Sequence, residues 1–176
     1  LNPDKIGAWG ASAGANLVAL LGTSAGVPEL EGAEYGFPEQ SSRVQAVVDW
    51  FGPTDFLQMD RQLAELGFPP SHDAPDSPES LLIGAPIQSR PDLARVMNPI
   101  AYVTAEAAPF LIVHGTRDST VPYLQSRLLA EELAAAAGPE RVEFVPLEGA
   151  VHGGGPQFWA ADNVARLLAF LDKHLK

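Results

Sequence analysis

The residues in this chain best suited to chemistry are one serine, one aspartate and one histidine, met in that order. Ser12 stands in "GAWGASAGAN", residues 7–16, between Gly10 and Gly14, in the pattern G-x-S-x-G. A serine hydroxyl is a weak nucleophile until a base takes its proton. A sharp strand-to-helix turn helps by presenting the oxygen, and such a turn leaves no room for large neighbours. Gly10 and Gly14 lack Cβ atoms, and Ala11 and Ala13 are nearly as small. A helix that follows the turn points N–H groups and a positive dipole end at the site. The Ala13 N–H is then placed to stabilise an oxyanion. A dinucleotide-binding turn is the rival reading, but Gly7, Gly10 and Gly14 do not spell G-x-G-x-x-G.

An acid and a base follow downstream. Asp118 lies in "VHGTRDSTVP" and His152 in "LEGAVHGGGP". Both fall just past apolar runs that read as strands, in loops at strand carboxyl ends, where α/β sheets build their sites. The remaining titratable candidates have other expected places. Asp55, in "FGPTDF", suits a cap or turn. His114 ends a strand and reads as a structural hydrogen-bonder. His72 sits among prolines and reads as a surface residue. His174 falls in a last helical turn, where it favours the dipole. Asp118 itself has a competing use as a cap for the helix after it.

The elements that must position these residues are legible from periodicity. "KIGAWG" is a short apolar run that suits a buried strand, and "ASAGANLVALLGTSAG" reads as a helix stopping near residues 22–26. "RVQAVVDWFG" (43–52), "PFLIVHG" (109–115) and "RVEFVPLEG" (141–149) are further strand-like runs. Between the last two, Leu124, Leu128, Leu129 and Leu133 recur at helical spacing, and Gly138 ends the run. Val164, Leu167, Leu168, Leu171 and Leu175 mark an amphipathic helix after residue 160. Strands alternating with helices imply an α/β fold with a mostly parallel sheet of about four strands. Residues 54–106 carry many prolines and no clear strand. They are too long for an ordinary loop and are expected to form a helical, cap-like insertion, with one helix around residues 56–66. The chain otherwise reads as one domain, residues 1–176.

Composition bounds the rest. A net charge of −11 over 176 residues argues against nucleic acid and anionic membranes as partners. The chain has no cysteine, which excludes disulfides, zinc–thiolate sites and cysteine catalysis. No run reaches membrane-spanning length. The sequence starts with Leu1 rather than methionine, so the native N-terminus is expected to lie upstream and the compartment stays open between cytoplasm and exterior.

With these pieces placed, the chain resembles the α/β-hydrolase superfamily, and within it the bacterial carboxylesterase/lipase branch that includes feruloyl-esterase-like enzymes. The text that carries the resemblance is "NPDKIGAWGASAGANL", "VQAVVDWFGPTDF", "SPESLLIGAPI", "NPIAYV", "PFLIVHGTRDSTVP" and "EGAVHGGGPQFW". It implies a serine hydrolase that cleaves carboxylic esters, with Ser12 as nucleophile, Asp118 as acid, His152 as base and Ala13 as one oxyanion donor. It implies no metal or organic cofactor and a small ester as substrate. Prolyl-oligopeptidase-type peptidases share the order, but they usually carry a bulky aromatic where this chain has Ala13. Ala15 stands where both groups commonly have glycine. Family members also carry about four strands ahead of the nucleophile, and a His-Gly-Gly-type loop that donates the second oxyanion N–H. The chain thus resembles a C-terminal half, and its partner is expected to be the N-terminal half or a second copy completing the sheet. A non-catalytic fragment or pseudoenzyme is the reading from another class. Phe56, Leu57, Phe68, Phe158 and Trp159 are candidates for the substrate pocket, Trp159 first among them. Feruloyl and short aliphatic esters both fit as substrates.

Overall fold

The computed structural model describes residues 2–176. A parallel sheet of four strands, ordered β1-β2-β3-β4, runs through it. The strands are β1 (Gly7–Ala11), β2 (Ala46–Trp50), β3 (Phe110–Gly115) and β4 (Val142–Leu147). The register pairs Gly7 with Ala46, Val47 with Phe110, and Phe110 with Val142. β2 and β3 are buried along their whole length, as unbroken apolar runs should be.

Three long helices cover the sheet. α1 (Ala13–Thr23) joins β1 to β2, and a second helix (Leu124–Ala137) joins β3 to β4. Both pack on one face, over Val47, Phe110 and Ile112, with Ala19, Leu129 and Leu133. The final helix (Ala161–Leu175) packs on the other, over Ala46, Val48, Trp50, Leu111 and Val113. Its buried stripe is Asn163, Leu167 and Phe170, whereas Leu168 is more than half exposed. Leu167, Leu171 and Leu175 pack on this core as the leucine spacing predicts, and Leu168 is the one of the four leucines that turns outward.

Residues 54–106 contain no strand. A 3-10 turn at Phe56–Gln58 leads into α2 (Met59–Glu65), followed by α3 (Pro78–Ile83) and α4 (Pro91–Val96). The two long helices named above as joining β3 to β4 and closing the chain are thus α5 and α6. Phe56, Met59 and Ile87 close a small core against Val121. Polar clasps anchor the segment as well. Gln125 on α5 accepts from the backbone N–H groups of Thr54 and Asp55, each at 2.7 Å, and donates to Gln62 and the Asp55 carbonyl. Asn16 on α1 donates to the carbonyls of Pro53 and Met97. Asp55 caps the turn through the Leu57 N–H and accepts from Asn98 and Gln58.

The first strand departs from the expectation of a buried one. β1 pairs with β2 alone among the described residues, and Trp9 is 46% exposed. Trp9 meets Trp50 edge-on with ring centroids 4.9 Å apart and lies 5.9 Å from Trp159, and Trp50 and Trp159 meet edge-on at 5.0 Å. The Trp50 indole N–H is buried and has no acceptor among the described residues.

Candidate active site

The turn from β1 into α1 holds Ser12 at φ 55°, ψ −123°, a conformation that costs a non-glycine residue on the order of 1–3 kcal/mol. The surroundings hold it there. The Ser12 N–H donates to the Trp50 carbonyl at 2.9 Å, and the Ser12 carbonyl accepts from Ala15 and Asn16. A Cβ at Gly10 would lie 2.2 Å from the Gly14 carbonyl oxygen, so this glycine is obligatory. Gly14 differs from expectation: a Cβ there meets nothing within 4 Å among the described residues. Ala15 is accommodated by its neighbour across the turn. A Cβ at Gly52 would sit 2.7 Å from the Ala15 methyl, so the glycine at 52 makes room for the methyl at 15.

Ser12, His152 and Asp118 lie in one hydrogen-bonded row. Ser12 Oγ is 2.9 Å from His152 Nε2, and His152 Nδ1 is 2.7 Å from Asp118 Oδ2. The Ser12 hydroxyl makes no bond to the start of α1, leaving it to the imidazole. Ala13 is the first residue of α1, where a backbone N–H has no acceptor within the helix. The loops carrying the acid and the histidine are stitched together, with Thr116 N–H on the Leu147 carbonyl and Arg117 N–H on the Ala150 carbonyl.

Asp118 is buried, and its side chain is fully occupied. Oδ1 accepts from the N–H groups of Thr120 and Val121, while Oδ2 faces both His152 and His114. Burial alone would raise its pKa. The bonds from His114 and His152 reverse that and hold the carboxyl at about 2. Asp118 is therefore a charged acceptor at neutral pH, and it sits ahead of α5 without capping it.

The other candidates fall in several places. His72 is 5% exposed, which overturns the expectation of a surface residue. Its Nδ1 meets Glu79 Oε2 at 2.9 Å and its Nε2 donates to the Thr120 carbonyl at 2.7 Å. His174 lies in the last turn of α6 as expected. Burial, with Lys173 and Arg141 nearby, pushes its pKa down rather than up. Phe158 is fully buried against Trp50 and Phe51, which removes it from the pocket. Trp159 is exposed on the α6 face beside Trp9. Leu57 borders a separate hollow with Asp55 and Arg95, and Phe68 lies under the Arg117 guanidinium. Phe56 helps line an apolar cavity of about 240 Å³ with Ala13, Asn16, Leu17, Pro53 and Leu82, and Glu79 lies on its wall. A larger cleft of about 490 Å³ opens at the opposite, amino-terminal end of β3 and β4.

Sequence reasoning missed Phe51. It also holds a positive φ, of 50°, and sets its ring edge-on to His152 at 4.8 Å. Its place at the end of an apolar run before Gly-Pro was the available signal. Among the described residues, no group of three or more His, Cys, Asp or Glu could hold a metal ion, and no helix is long and apolar enough to cross a membrane.

The sheet, the strained serine turn and the loops at strand ends define the α/β-hydrolase class. The family model described as BD-FAE matches residues 1–133, and the chain belongs to that family. Esterase LipQ of Mycobacterium tuberculosis is 33% identical over 151 residues, covering 86% of this chain and 33% of LipQ. The chain spans about a third of the length of the curated relatives it matches. A truncated carbohydrate esterase from gut microbiota superposes with a TM-score of 0.83 at 29% identity, over 99% of this chain and 61% of that one. Thermogutta terrifontis esterase 2, in a form phosphorylated by paraoxon, gives 0.60 at 28% identity, over 98% of this chain and 52% of that one.

Proposed function

We propose that this chain carries the catalytic row of a carboxylic ester hydrolase, with Ser12 as nucleophile, His152 as base and Asp118 as acid. The observation that carries the reading is the unbroken line from Ser12 Oγ through the His152 ring to Asp118 Oδ2, built on a strained turn. His152 takes the serine proton as Oγ attacks the ester carbonyl, then returns it to the leaving alcohol. Asp118 fixes the imidazole tautomer and stabilises its cation. The Ala13 N–H faces the developing oxyanion. His152 then activates a water that releases the acid from the acyl-serine. The names of the relatives support ester hydrolysis, and a relative phosphorylated by paraoxon fits a reactive serine.

Residues 54–106 form a cap in this reading, and the cavity beside Ala13 and Phe56 takes part of the substrate. The open edge of β1 is completed by another strand, from a longer chain or a second copy, which brings the second oxyanion donor. The test is labelling with a fluorophosphonate probe, followed by turnover of p-nitrophenyl acetate. Labelling at Ser12, with turnover lost in Ser12→Ala, is expected. An unlabelled Ser12 in a folded protein would favour an inert hydrolase-fold module instead.

A further inference from the structure

The row Ser12–His152–Asp118 has a fourth member behind it. His114, at the end of β3, is completely buried. Its Nε2 lies 2.9 Å from the Val121 carbonyl and 3.2 Å from Asp118 Oδ2. Both partners accept only, so Nε2 carries the proton. Its Nδ1 is 2.7 Å from Ser126 Oγ on α5. The ring is thus pinned from the helix on one side and from the acid's own loop on the other. An apolar residue would fill the space at lower desolvation cost, so the polar ring needs a reason.

The reason lies in which oxygen it touches. Asp118 Oδ1 is used by two backbone N–H groups, whereas Oδ2 is the oxygen that His152 uses. A donor on Oδ2 steadies the carboxylate and draws charge away from the His152 contact. We propose that His114 is a positioning residue, which aims Asp118 at His152 and limits how strongly the acid raises the basicity of the base. The proposal rests on Asp118 being the acid of the site. The charge around the pair agrees with it: burial works to raise the Asp118 pKa, and the bond from His114 is the leading influence that lowers it. Asp49, on β2, is the other acid close enough to feel a charge on His114, and the uncharged ring of Phe51 lies edge-on to both histidines.

The chain has four histidines, so ¹⁵N-histidine labelling resolves each ring. In His114→Phe the Asp118 Oδ2 loses one donor and is left to His152, while Oδ1 keeps its two backbone N–H bonds. The His152 titration midpoint is expected to rise by about one pH unit, roughly a tenfold gain in proton affinity. His114→Gln, which keeps an amide donor, is expected to restore part of the difference. Ser126→Ala frees the ring without removing it and is expected to give a smaller rise. If His114→Phe does not fold, Ser126→Ala and His114→Gln decide the matter. A His152 midpoint unchanged in the folded variants overturns the proposal. Fluorophosphonate labelling of Ser12, run beside the titration, separates that result from failure of the nucleophile assignment.

Discussion

Two histidines in this molecule have nearly the same first contacts and opposite prospects. His152 sets Nδ1 on the Asp118 carboxylate and Nε2 on the Ser12 hydroxyl. His72 sets Nδ1 on the Glu79 carboxylate and Nε2 on the Thr120 carbonyl. The carboxylate–imidazole pair is therefore not the distinguishing feature. What differs is the atom beyond it. A hydroxyl can surrender its proton to the ring, whereas a carbonyl can only accept one. Access differs too, since the His152 side chain is 22% exposed and that of His72 only 6%. In the proposed reading one pair does chemistry, while the other clamps residues 54–106 to the loop that holds Asp118.

Removing each carboxylate or ring in turn sharpens the contrast. Asp118→Asn is expected to lower kcat for p-nitrophenyl acetate by about 10⁴-fold, because the imidazole loses its tautomer and its stabilising charge. A loss below tenfold would erase the distinction between the two pairs. His72→Ala leaves Glu79 buried without its partner and is expected to cost on the order of 3–5 kcal/mol of stability in urea unfolding. Its effect on turnover per folded molecule should be far smaller than that of Asp118→Asn.

The two pairs should also fail at opposite ends of the pH range. For His72, burial alone would lower the pKa, but the bond and charge of Glu79 raise it above the ordinary value. Its contribution is then complete below about 6.5 and is lost as pH rises through the raised value. Asp118, lowered to about 2, contributes fully above its ordinary range near 3.8 and loses that only as pH falls toward 2. Melting temperatures of the unaltered chain, His72→Gln and Asp118→Asn across pH 3–9 check both signs. Parallel curves would refute the assignment.

Asp49 supplies the control, a buried carboxylate with no imidazole bonded to it. It accepts the Gly52 N–H through Oδ1, while Oδ2 has no partner among the described residues. Burial raises its pKa to about 6 against that bond. The folded state keeps this proton after the unfolded chain has lost it, so stability falls as pH climbs from about 4 to 6. Asp49→Asn is expected to add about 1–2 kcal/mol at pH 8 and little at pH 4, which chemical denaturation at the two values would reveal.

This contrast also marks what could be read in the sequence. The strands, the long helices and the serine turn declare themselves through local patterns, because burial on a parallel sheet demands unbroken apolar runs. Ser12, Asp118 and His152 could be singled out because each follows such a run. His72 could not. Its proline-rich surroundings look like surface, and its partners lie 7 and 48 residues away. The Gln125 and Asn16 clasps are equally silent, since single amides carry no period. Ala15 became intelligible only with Gly52 beside it in space. β1 read as buried because its apolar composition is that of an inner strand, although only one of its edges is paired among the described residues.

The tryptophan cluster gives that edge its own signal. All three tryptophans of the chain lie within 6 Å of one another, beside the open side of β1. Indoles at that spacing share excitation, so the chain's tryptophan emission arises from this one place. A strand arriving beside β1 would take water from Trp9 and shift the emission to the blue. Intrinsic fluorescence, with no label added, thus reads whether the sheet has been extended.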